Sequence, residues 1–391
     1  MADAPPSAAG LCVLQLHWAV PPTTGGVESH VADLARMLAE RGAAVTVLTG
    51  ERDPQRSARY AVVSTELLDL ERIRRGTDDS RDHAALRSLM MGLIREAGVT
   101  LVHAHNLHHF WPVPALVLEE IRRETGLRVF HTFHETWPDL LRDRPVYRAW
   151  DGNTAPSRFV ARRCGALLGF APEVLPLGVD TRSFAPGRRC FDGADIPVVL
   201  HPARLLPWKG IHVSLRMLRT LLDRGRSARL VVTDTQRILD WKSELARYRR
   251  DVLAKVEALG LGPHVEFRGV AYGDMPRLYE AADVVVYPTV GEEPYGLVPL
   301  EAMSCGRPVV ASRSGGIPET VEDGVTGHIV PPGDGDALAD RVGHLLAHPP
   351  LARALGAAGR RRVEAHFSAD RYLDALLRRY AGAEAVGPVP S

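Results

Sequence analysis

The chain alternates short apolar runs with segments whose apolar residues recur at helical spacing, and it does so twice. The first set begins with LCVLQLHW, passes through a helical segment that ends near Gly42, and reaches a second apolar run in AVTVLTG. It continues through LVHAHN, WPVPALVLEEIRRETG, RVFHTFHE and SRFVARRCGA. Repeated strand–helix–strand units predict a parallel sheet covered by helices, which is a doubly wound α/β fold.

A stretch without periodicity separates the two sets. It reads LPLGVDTRSFAPGRRCFDGADIP and has the Gly, Pro and polar content of an interdomain linker. A second alternating set follows, and a chain of 391 residues exceeds the roughly 250–300 residues at which single cores stop growing. We therefore predict an N-terminal domain at 1–180 and a C-terminal domain at 181–365. Residues 366–391 are predicted to form a helix, starting near Ser368, that packs back on the N-terminal domain, followed by a loose tail.

Composition excludes several classes of protein. The net charge of +1 gives no sign of a polyanionic partner, so we expect no nucleic acid to bind. The chain shows neither a secretory signal pattern nor about 18 consecutive apolar residues, so we expect a cytoplasmic protein without stable membrane insertion. The four cysteines are far apart and form no C-x-x-C, which favours reduced thiols over disulfides or a zinc site: Cys12, Cys164, Cys190 and Cys305.

Two stretches that follow predicted strands could bind an anion. In PPTTGGVESHV, Gly25 and Gly26 precede a helix whose first amides can meet a phosphate, although a plain turn explains so short a motif equally well. In ARLLPWKG, Arg204 and Lys209 precede a helix and together suit a diphosphate. A solvated basic pair is the alternative interpretation.

A third stretch, GEEPYGLVPLEAMSCGRPVV, contains two glutamates eight positions apart. Pro299 is tolerated only in a first helical turn, so the helix must begin close to Gly296 and present the amides of Gly296, Leu297 and Val298 to an anion. Carboxylates beside a phosphate site would be repulsive unless they bind sugar hydroxyls, which suggests ribose for one and a donor sugar for the other. Alternatively, Glu293 is a partner of the helix dipole and Glu301 a surface acid.

HAHNLHHF is rich in histidine. H-x-H spacing can bind a metal, but no acid or thiol is in register, so we interpret these histidines as lining a cleft: His103, His105, His108 and His109.

Together these stretches resemble the retaining glycosyltransferases of family 4. The resemblance spans nearly all of the chain and includes GGVE, HTFHET, NTAPSRFV, PLGVD, PARLLPWKG, HVEFRGV, GEEPYGLVPLEAM and SGGIPETVEDGVTGHIVPPGD. It implies the GT-B fold, in which two Rossmann-like domains face each other across a cleft. The chain departs from the family pattern at TDTQ, residues 233–236, where a glycine pair is usual, and at Leu177, where asparagine is usual.

The resemblance also implies roles for individual residues. Arg204 and Lys209 would hold the nucleotide diphosphate, Glu301 the ribose and Glu293 the transferred sugar. His134, in HTFHET, would project toward the donor sugar, while Gly26 and the amides of Gly296, Leu297 and Val298 would flank phosphate and sugar. The family uses no divalent metal and no other cofactor, and the leaving phosphate accepts the acceptor's proton on the same face of the sugar.

We expect the acceptor to bind the N-terminal domain. Several acids could hold a cationic acceptor such as an aminocyclitol, although solvated acids are the simpler interpretation: Glu28, Glu135, Asp139, Asp143 and Asp151. A lipid acceptor predicts a basic amphipathic surface helix, which the sequence does not show. The expected reaction is therefore transfer from a UDP-sugar to a small soluble acceptor, in natural-product or aminoglycoside-type biosynthesis. The alternatives are a lipid or polysaccharide acceptor, a GT-B nucleotide-sugar epimerase, or a non-catalytic sensor.

Overall fold

A computed structural model describes residues 6–135, 144–187, 196–234 and 242–382. The chain divides into two compact units. The first unit comprises Met1–Pro176 together with Tyr372–Pro390, and the second comprises Leu177–Arg371. The last helix, which begins at Ala369, therefore starts in the second unit and continues in the first.

The first unit is built on a seven-stranded parallel sheet of order β3-β2-β1-β4-β5-β6-β7. The strands are β1 Cys12–His17, β2 Ala44–Thr49, β3 Ala61–Ser64, β4 Leu101–His105, β5 Arg128–Thr132, β6 Gly152–Ala155 and β7 Glu173–Val174. The helices are α1 Gly26–Glu40, α2 Leu70–Arg75, α3 Asp79–Glu96, α4 Val113–Thr125, α5 Arg144–Arg148 and α6 Arg158–Leu168. Every residue of the central strand β4 is buried, as expected for a parallel strand in the middle of its sheet.

The second unit is built on a six-stranded parallel sheet of order β10-β9-β8-β11-β12-β13. Its strands are β8 Val198–His201, β9 Arg229–Thr233, β10 Val265–Arg268, β11 Val284–Tyr287, β12 Val309–Ser312 and β13 His328–Val330. Its helices are α7 Ile211–Asp223, α8 Lys242–Ala258, α9 Met275–Ala281, α10 Leu297–Ser304, α11 Ile317–Thr320, α12 Gly335–Ala347 and α13 Pro349–His366, and α14 Ala369–Tyr380 follows. The predicted α/β class with two doubly wound sheets is confirmed.

Both sheets reverse their direction of winding in the middle. In the first unit β1 lies between β2 and β4, and in the second β8 lies between β9 and β11. Loops that leave the carboxyl ends of two such neighbouring strands run apart, and ligands of doubly wound proteins bind in the crevice between them. The strand order of the second unit therefore predicts a ligand site between the loops after β8 and β11.

Helix α14 buries one apolar face. Its predicted apolar residues are all buried: Tyr372, Leu373, Leu376, Leu377 and Tyr380. The hydroxyl of Tyr380 lies 2.6 Å from Nδ1 of His103, and that of Tyr372 lies 3.2 Å from Nε2 of His30. The predicted apolar face is confirmed, and its contacts from Tyr372 onward lie within the first unit.

Other sequence expectations concern membranes and thiols. Among the helices that the structure describes, none combines the length and apolar character needed to cross a bilayer. Cys12, Cys164 and Cys305 are free thiols. Cys190 lies outside the described residues.

We expect the substitution Leu376→Ala to destabilise the first unit by about 2–4 kcal/mol, because it leaves a cavity where a 1 % exposed side chain now packs. Urea unfolding followed by tryptophan fluorescence measures the loss. Arg371→Ala, at an exposed position of the same helix, is the matched control and should change stability by less than about 0.5 kcal/mol. Equal midpoints for the two variants would show that α14 does not stabilise the unit.

Candidate functional site

The candidate site of the second unit lies at the carboxyl ends of β8 and β11. These strands pair in parallel, with Val284 opposite Val199 and Val285 opposite Leu200. Arg204 and Lys209 follow β8, and Glu293 follows β11. Parallel neighbours end at the same edge of a sheet, so loops far apart in sequence meet there.

Lys209, Glu293 and Tyr287 form one hydrogen-bonded group. The Lys209 ammonium donates to Oε2 of Glu293 and to the hydroxyl of Tyr287, each at 2.7 Å, and the Tyr287 hydroxyl donates to the same Oε2 at 2.8 Å. The side chains of Lys209 and Glu293 are 12 % and 13 % exposed. Burial, reinforced by the charge of Glu293, raises the pKa of Tyr287 well above its usual value, so this hydroxyl remains a donor at working pH.

The two loops are joined through the backbone of Trp208. Its carbonyl accepts from the Val290 amide at 2.8 Å and from the Thr289 hydroxyl at 2.7 Å. Gly210 has a φ of +76°, and a Cβ there would lie 2.0 Å from the carbonyl oxygen of Pro288. Glycine is therefore required for the loop after β8 to approach the loop after β11 this closely.

Arg204 lies near Lys209, Glu293 and Tyr287 and is not hydrogen-bonded to them. Its side chain is half-buried, and its charge lowers the pKa of Tyr287 against the larger effects that raise it. Within the part of the chain that the structure describes, its guanidinium makes no hydrogen bond or ion pair. A guanidinium in this state can offer its planar fork to an anion.

Helix α10 begins at Leu297, with Gly296 as its N-cap at φ +98°. This confirms the start that the position of Pro299 predicted. The first amides of a helix have no intrahelical acceptor, so those of Leu297 and Val298 are oriented to meet an anion.

Glu301 is buried, with 6 % of the residue exposed. The alternative interpretation from the sequence was an acid on the protein surface. Its Oε2 accepts from the hydroxyl of Tyr279 at 2.6 Å. The surface-acid interpretation of Glu301 was therefore wrong. Most of α10 is buried, and the buried hydroxyl of Tyr279 donates to the Glu301 carboxylate. The role predicted for Glu301 stays a prediction.

The SGGIPE segment holds the backbone of Glu293. Ser314 Oγ accepts from the amide of Glu293 at 3.1 Å and donates to the carbonyl of Gly291 at 2.5 Å. The amide of Gly316 donates to the carbonyl of Glu293 at 2.8 Å. Gly315 has a φ of +52°, and a Cβ there would lie 1.9 Å from that carbonyl oxygen. This segment therefore fixes the turn that carries the first glutamate.

Several side chains that build these sites were not identified from the sequence. Tyr279 and Tyr287 donate to the two glutamates, Ser314 fixes the turn, and the side chain of Asn106 accepts from the backbone amide of His134. Ser314 was visible as part of SGGIPE. For the two tyrosines the only available signal was an aromatic residue with a hydroxyl in an apolar run, which is common in cores.

The two departures from the family pattern have defined surroundings. The carbonyl of Leu177 accepts from the hydroxyl of Tyr295 at 2.7 Å, so the side chain at 177 is not needed for that bond. The hydroxyl of Thr233 donates to the carbonyl of Ala203 at 3.0 Å, which ties β9 to the loop after β8. Residues 235 and 236 of TDTQ lie outside the described part.

In the first unit, α1 begins at Gly26 with Gly25 as its N-cap in extended conformation. The carboxylate of Glu28 folds back over this helix start, since a Cβ on Gly25 would lie 1.9 Å from its Oε2. Glu28 is 6 % exposed, and its Oε1 lies 4.0 Å from Nε2 of His17. A carboxylate therefore lies beside the start of α1, and the role predicted for Gly26 stays a prediction.

His134 follows β5 and is held in place from two sides. Its Nε2 lies 3.1 Å from Nδ1 of His105, and its amide donates to Oδ1 of Asn106 at 2.7 Å. Asn106 adopts a φ of +48°, which is uncommon for a residue other than glycine. The side chain of His134 is buried, with 4 % of the residue exposed.

The histidines of HAHNLHHF are interior residues and do not line a solvent-exposed surface. All four are at most 4 % exposed: His103, His105, His108 and His109. His103 and His105 lie in β4, every residue of which is buried, whereas His108 and His109 follow its end. The interpretation that they line a cleft stays a prediction. Burial lowers their pKa values, to about 3 for His103 and His108. They are therefore neutral at working pH.

One group of three histidines could offer ligands to a metal ion within the part of the chain that the structure describes. Nitrogen atoms of His30, His105 and His134 lie within 4.8 Å of one another. Two nitrogens bound to one zinc ion at about 2.1 Å are at most about 4.2 Å apart, so a spacing of up to 4.8 Å is wider than that of a formed site. Nε2 of His30 also lies within hydrogen-bonding distance of Tyr372. The expectation that the protein uses no metal stays a prediction.

Among the described acids proposed for a cationic acceptor, Asp151 lies away from His134. Asp151 precedes β6, and its carboxylate accepts from the amide of Val129 near the start of β5. His134 follows the end of β5, so the two lie at opposite edges of the parallel sheet. Glu28 is buried, Glu135 is half-buried, and Asp139 and Asp143 lie outside the described residues.

Comparison with protein families gives two matches that together span most of the chain. The family described as Glycosyltransferase Family 4 matches residues 24–183, and that described as Glycosyl transferases group 1 matches residues 193–362. These ranges contain every predicted site residue. They agree with the resemblance that the motifs indicated.

Curated relatives and solved structures agree with this assignment. The chain is 34 % identical to a GDP-mannose-dependent alpha-(1-6)-phosphatidylinositol monomannoside mannosyltransferase of Mycolicibacterium smegmatis, over 66 % of this chain and 72 % of the relative. It is 26 % identical to a D-inositol 3-phosphate glycosyltransferase of Segniliparus rotundus, over 95 % and 89 %. A glycosyltransferase structure from Rickettsia africae superposes with a TM-score of 0.77 at 19 % identity, over 95 % and 98 %, and supports the GT-B fold.

We expect acid to destabilise the first unit. Its interior contains eight histidines whose pKa is lowered, chiefly by burial: His17, His30, His103, His105, His108, His109, His131 and His134. Such an imidazole is protonated first in the unfolded chain, so stability is lost as pH falls below 6.5. For an imidazole whose pKa in the folded protein is about 3, such as that of His30 or His103, the cost is about 0.4 kcal/mol at pH 6.5 and about 1.4 kcal/mol at pH 5.5.

Urea unfolding at pH 7.5, 6.5 and 5.5 measures this loss. His108→Phe removes one buried imidazole and should reduce the dependence by up to one proton. His83→Gln removes a partly exposed imidazole paired with Glu120 and is the comparison outside the buried set. A free energy of unfolding that is constant from pH 7.5 to 5.5 would contradict the buried, neutral state of these histidines.

Proposed function

Since the chain belongs to glycosyltransferase family 4, we propose that it moves a sugar from a nucleoside diphosphate sugar to an acceptor hydroxyl with retention at the anomeric carbon. The observation that carries the proposal is the group formed by Lys209, Glu293 and Tyr287 at the ends of β8 and β11. It places a cation and a carboxylate side by side, next to the guanidinium of Arg204 and within the same unit as the start of α10.

The diphosphate would bind Arg204 and Lys209. An ammonium has three N–H donors, and Lys209 directs two of them to Glu293 and Tyr287. The third can reach a phosphate oxygen without breaking the existing bonds. The amides at the start of α10 would add neutral donors, so that charge developing on the leaving diphosphate is stabilised by groups that need no rearrangement.

The two glutamates would bind hydroxyl groups. Lys209 and Tyr287 both donate to Oε2 of Glu293, which leaves Oε1 to accept from a hydroxyl of the transferred sugar. Tyr279 donates to Oε2 of Glu301 and orients its carboxylate, which would accept from the ribose. The assignment rests on the family resemblance together with this geometry.

The proposed reaction needs no nucleophile from the protein. The bond between the anomeric carbon and the phosphate oxygen breaks, and the acceptor oxygen forms the new bond on the same face. The acceptor's proton passes to the departing phosphate, which leaves as the nucleoside diphosphate. His134 would orient the sugar and phosphate through hydrogen bonds, and its burial keeps it neutral for that role.

For the acceptor we propose an inositol-containing lipid, and for the donor GDP-mannose. This departs from our sequence-based preference for a UDP-sugar, a small aminocyclitol and an antibiotic pathway, which no comparison confirms. The name of the Mycolicibacterium relative specifies GDP-mannose and a phosphatidylinositol mannoside. The position of Asp151 and the burial of Glu28 also weaken the acidic set that a cationic acceptor would need.

We expect Lys209→Ala and Glu293→Ala each to reduce transfer at least about 100-fold, because each removes a charged group that would contact the donor. Release of nucleoside diphosphate in the presence of donor and acceptor measures transfer. Lys255→Ala and Glu257→Ala, at exposed positions of α8, are the matched controls and should retain parental activity. Parental activity in Lys209→Ala or Glu293→Ala would place the site elsewhere.

A panel of donors and acceptors tests the finer assignment. We expect GDP release from GDP-mannose to rise at least about 10-fold when vesicles containing phosphatidylinositol mannoside are added, because catalysed transfer requires the acceptor hydroxyl. Inositol 3-phosphate and a free aminocyclitol are the soluble comparisons. Release stimulated only by the aminocyclitol would contradict the lipid acceptor. Conversion of the sugar nucleotide without any acceptor would indicate an epimerase.

A further inference from the structure

We infer that Tyr279 is a positioning residue, which orients the carboxylate of Glu301 for the ribose of the donor nucleotide. The inference rests on the proposed function, since it assumes that Glu301 binds the ribose. Discrimination between ribose and deoxyribose would then depend on the hydroxyl of Tyr279.

The contact joins two helices that flank β11. Tyr279 lies on α9 and Glu301 on α10, 22 residues apart, and the hydroxyl donates to Oε2 at 2.6 Å. Tyr279 is fully buried and Glu301 is 6 % exposed. A 2.6 Å bond from a neutral hydroxyl to a carboxylate is among the stronger hydrogen bonds of a protein interior. It restricts the rotamer of the glutamate and selects which oxygen faces away from Tyr279.

The ring of Tyr279 is anchored independently of its hydroxyl. It packs edge to face against Phe184, with the ring centroids 5.9 Å apart. Replacement of the hydroxyl by hydrogen therefore keeps the aromatic packing while it removes the donor to Glu301. A purely structural role for Tyr279 predicts a small loss of stability and no change in nucleotide selectivity.

The two glutamates accept from different donors. Glu293 accepts from the ammonium of Lys209, which lies where a diphosphate would bind. Glu301 accepts from the hydroxyl of Tyr279, which restricts the position of its carboxylate.

The test is the binding of GDP and UDP, each compared with its 2′-deoxy and 3′-deoxy counterparts, by calorimetry. In the parent protein we expect the ribonucleotide to bind about 10-fold more tightly than at least one deoxy form. Tyr279→Phe should weaken ribonucleotide binding about 3- to 10-fold and leave the deoxy form unchanged, so that the ratio falls. Tyr248→Phe, which removes a hydroxyl 3.3 Å from His212 in the same unit, is the matched control and should preserve the ratio.

Glu301→Gln separates this inference from the proposed function. If Glu301→Gln lowers the ratio and Tyr279→Phe does not, the role of Tyr279 is refuted while Glu301 remains the ribose ligand. If neither variant changes the ratio, Glu301 does not bind the ribose and the assignment beneath the inference fails. In the Glu301→Gln background, Tyr279→Phe should have no further effect on the ratio, whereas independent contributions would contradict positioning.

Discussion

The pairing of β8 with β11 is the constraint on which the candidate site depends. These strands are neighbours in the sheet although the residues at their ends are far apart in the chain, and the connections that follow them run in opposite directions. Lys209 and Glu293, 84 positions apart, consequently lie 2.7 Å from each other. The approach is so close that a side chain at Gly210, after β8, would collide with the carbonyl of Pro288, after β11. A side chain at Gly315, after β12, would likewise collide with the carbonyl of Glu293. Strand order and the placement of glycines together allow the loops after β8 and β11 to contact each other.

The ion pair between Lys209 and Glu293 is better explained by function than by stability. Two charges that are largely buried lose hydration, and their attraction often does no more than offset that cost. The pair nevertheless holds a cation and a carboxylate in fixed positions before any ligand arrives, with Tyr287 bridging them. A polar site organised in advance avoids reorganisation during a reaction, which is where such groups contribute most to catalysis. The backbone bonds from Ser314 and Gly316 to Glu293 extend the same rigidity into the turn.

Much of the fold could be predicted from local patterns, because alternating apolar periodicity specifies strands and helices before their neighbours are known. The start of α10 was equally local, since Pro299 cannot lie deeper in a helix and Gly296 supplies the positive φ. What could not be predicted depends on contacts between elements. Tyr279 and Tyr287 reach their glutamates only through packing of α9, α10 and β11. Asp151 was grouped with His134 because the two are close in sequence. Asp151 lies beside the start of β5 and His134 follows its end, so the length of the strand separates them. His103 and His105 look polar in the sequence and are buried because their strand, β4, is central in the sheet.

The buried histidines bear on how His134 can act. In the proposed reaction the transition state would carry positive charge on the sugar, so a protonated His134 beside it would be repulsive and a neutral one would not. Burial, followed by the neighbouring His30 and other imidazoles, lowers the pKa of His134 well below its usual value. His105 then fixes its ring through one nitrogen, and Asn106 fixes its backbone. A cluster of imidazoles that cannot all be protonated together is therefore a physical means of keeping His134 uncharged. The same burial of imidazoles lowers the stability of the first unit in acid. An arrangement that keeps His134 neutral therefore also makes the first unit sensitive to low pH.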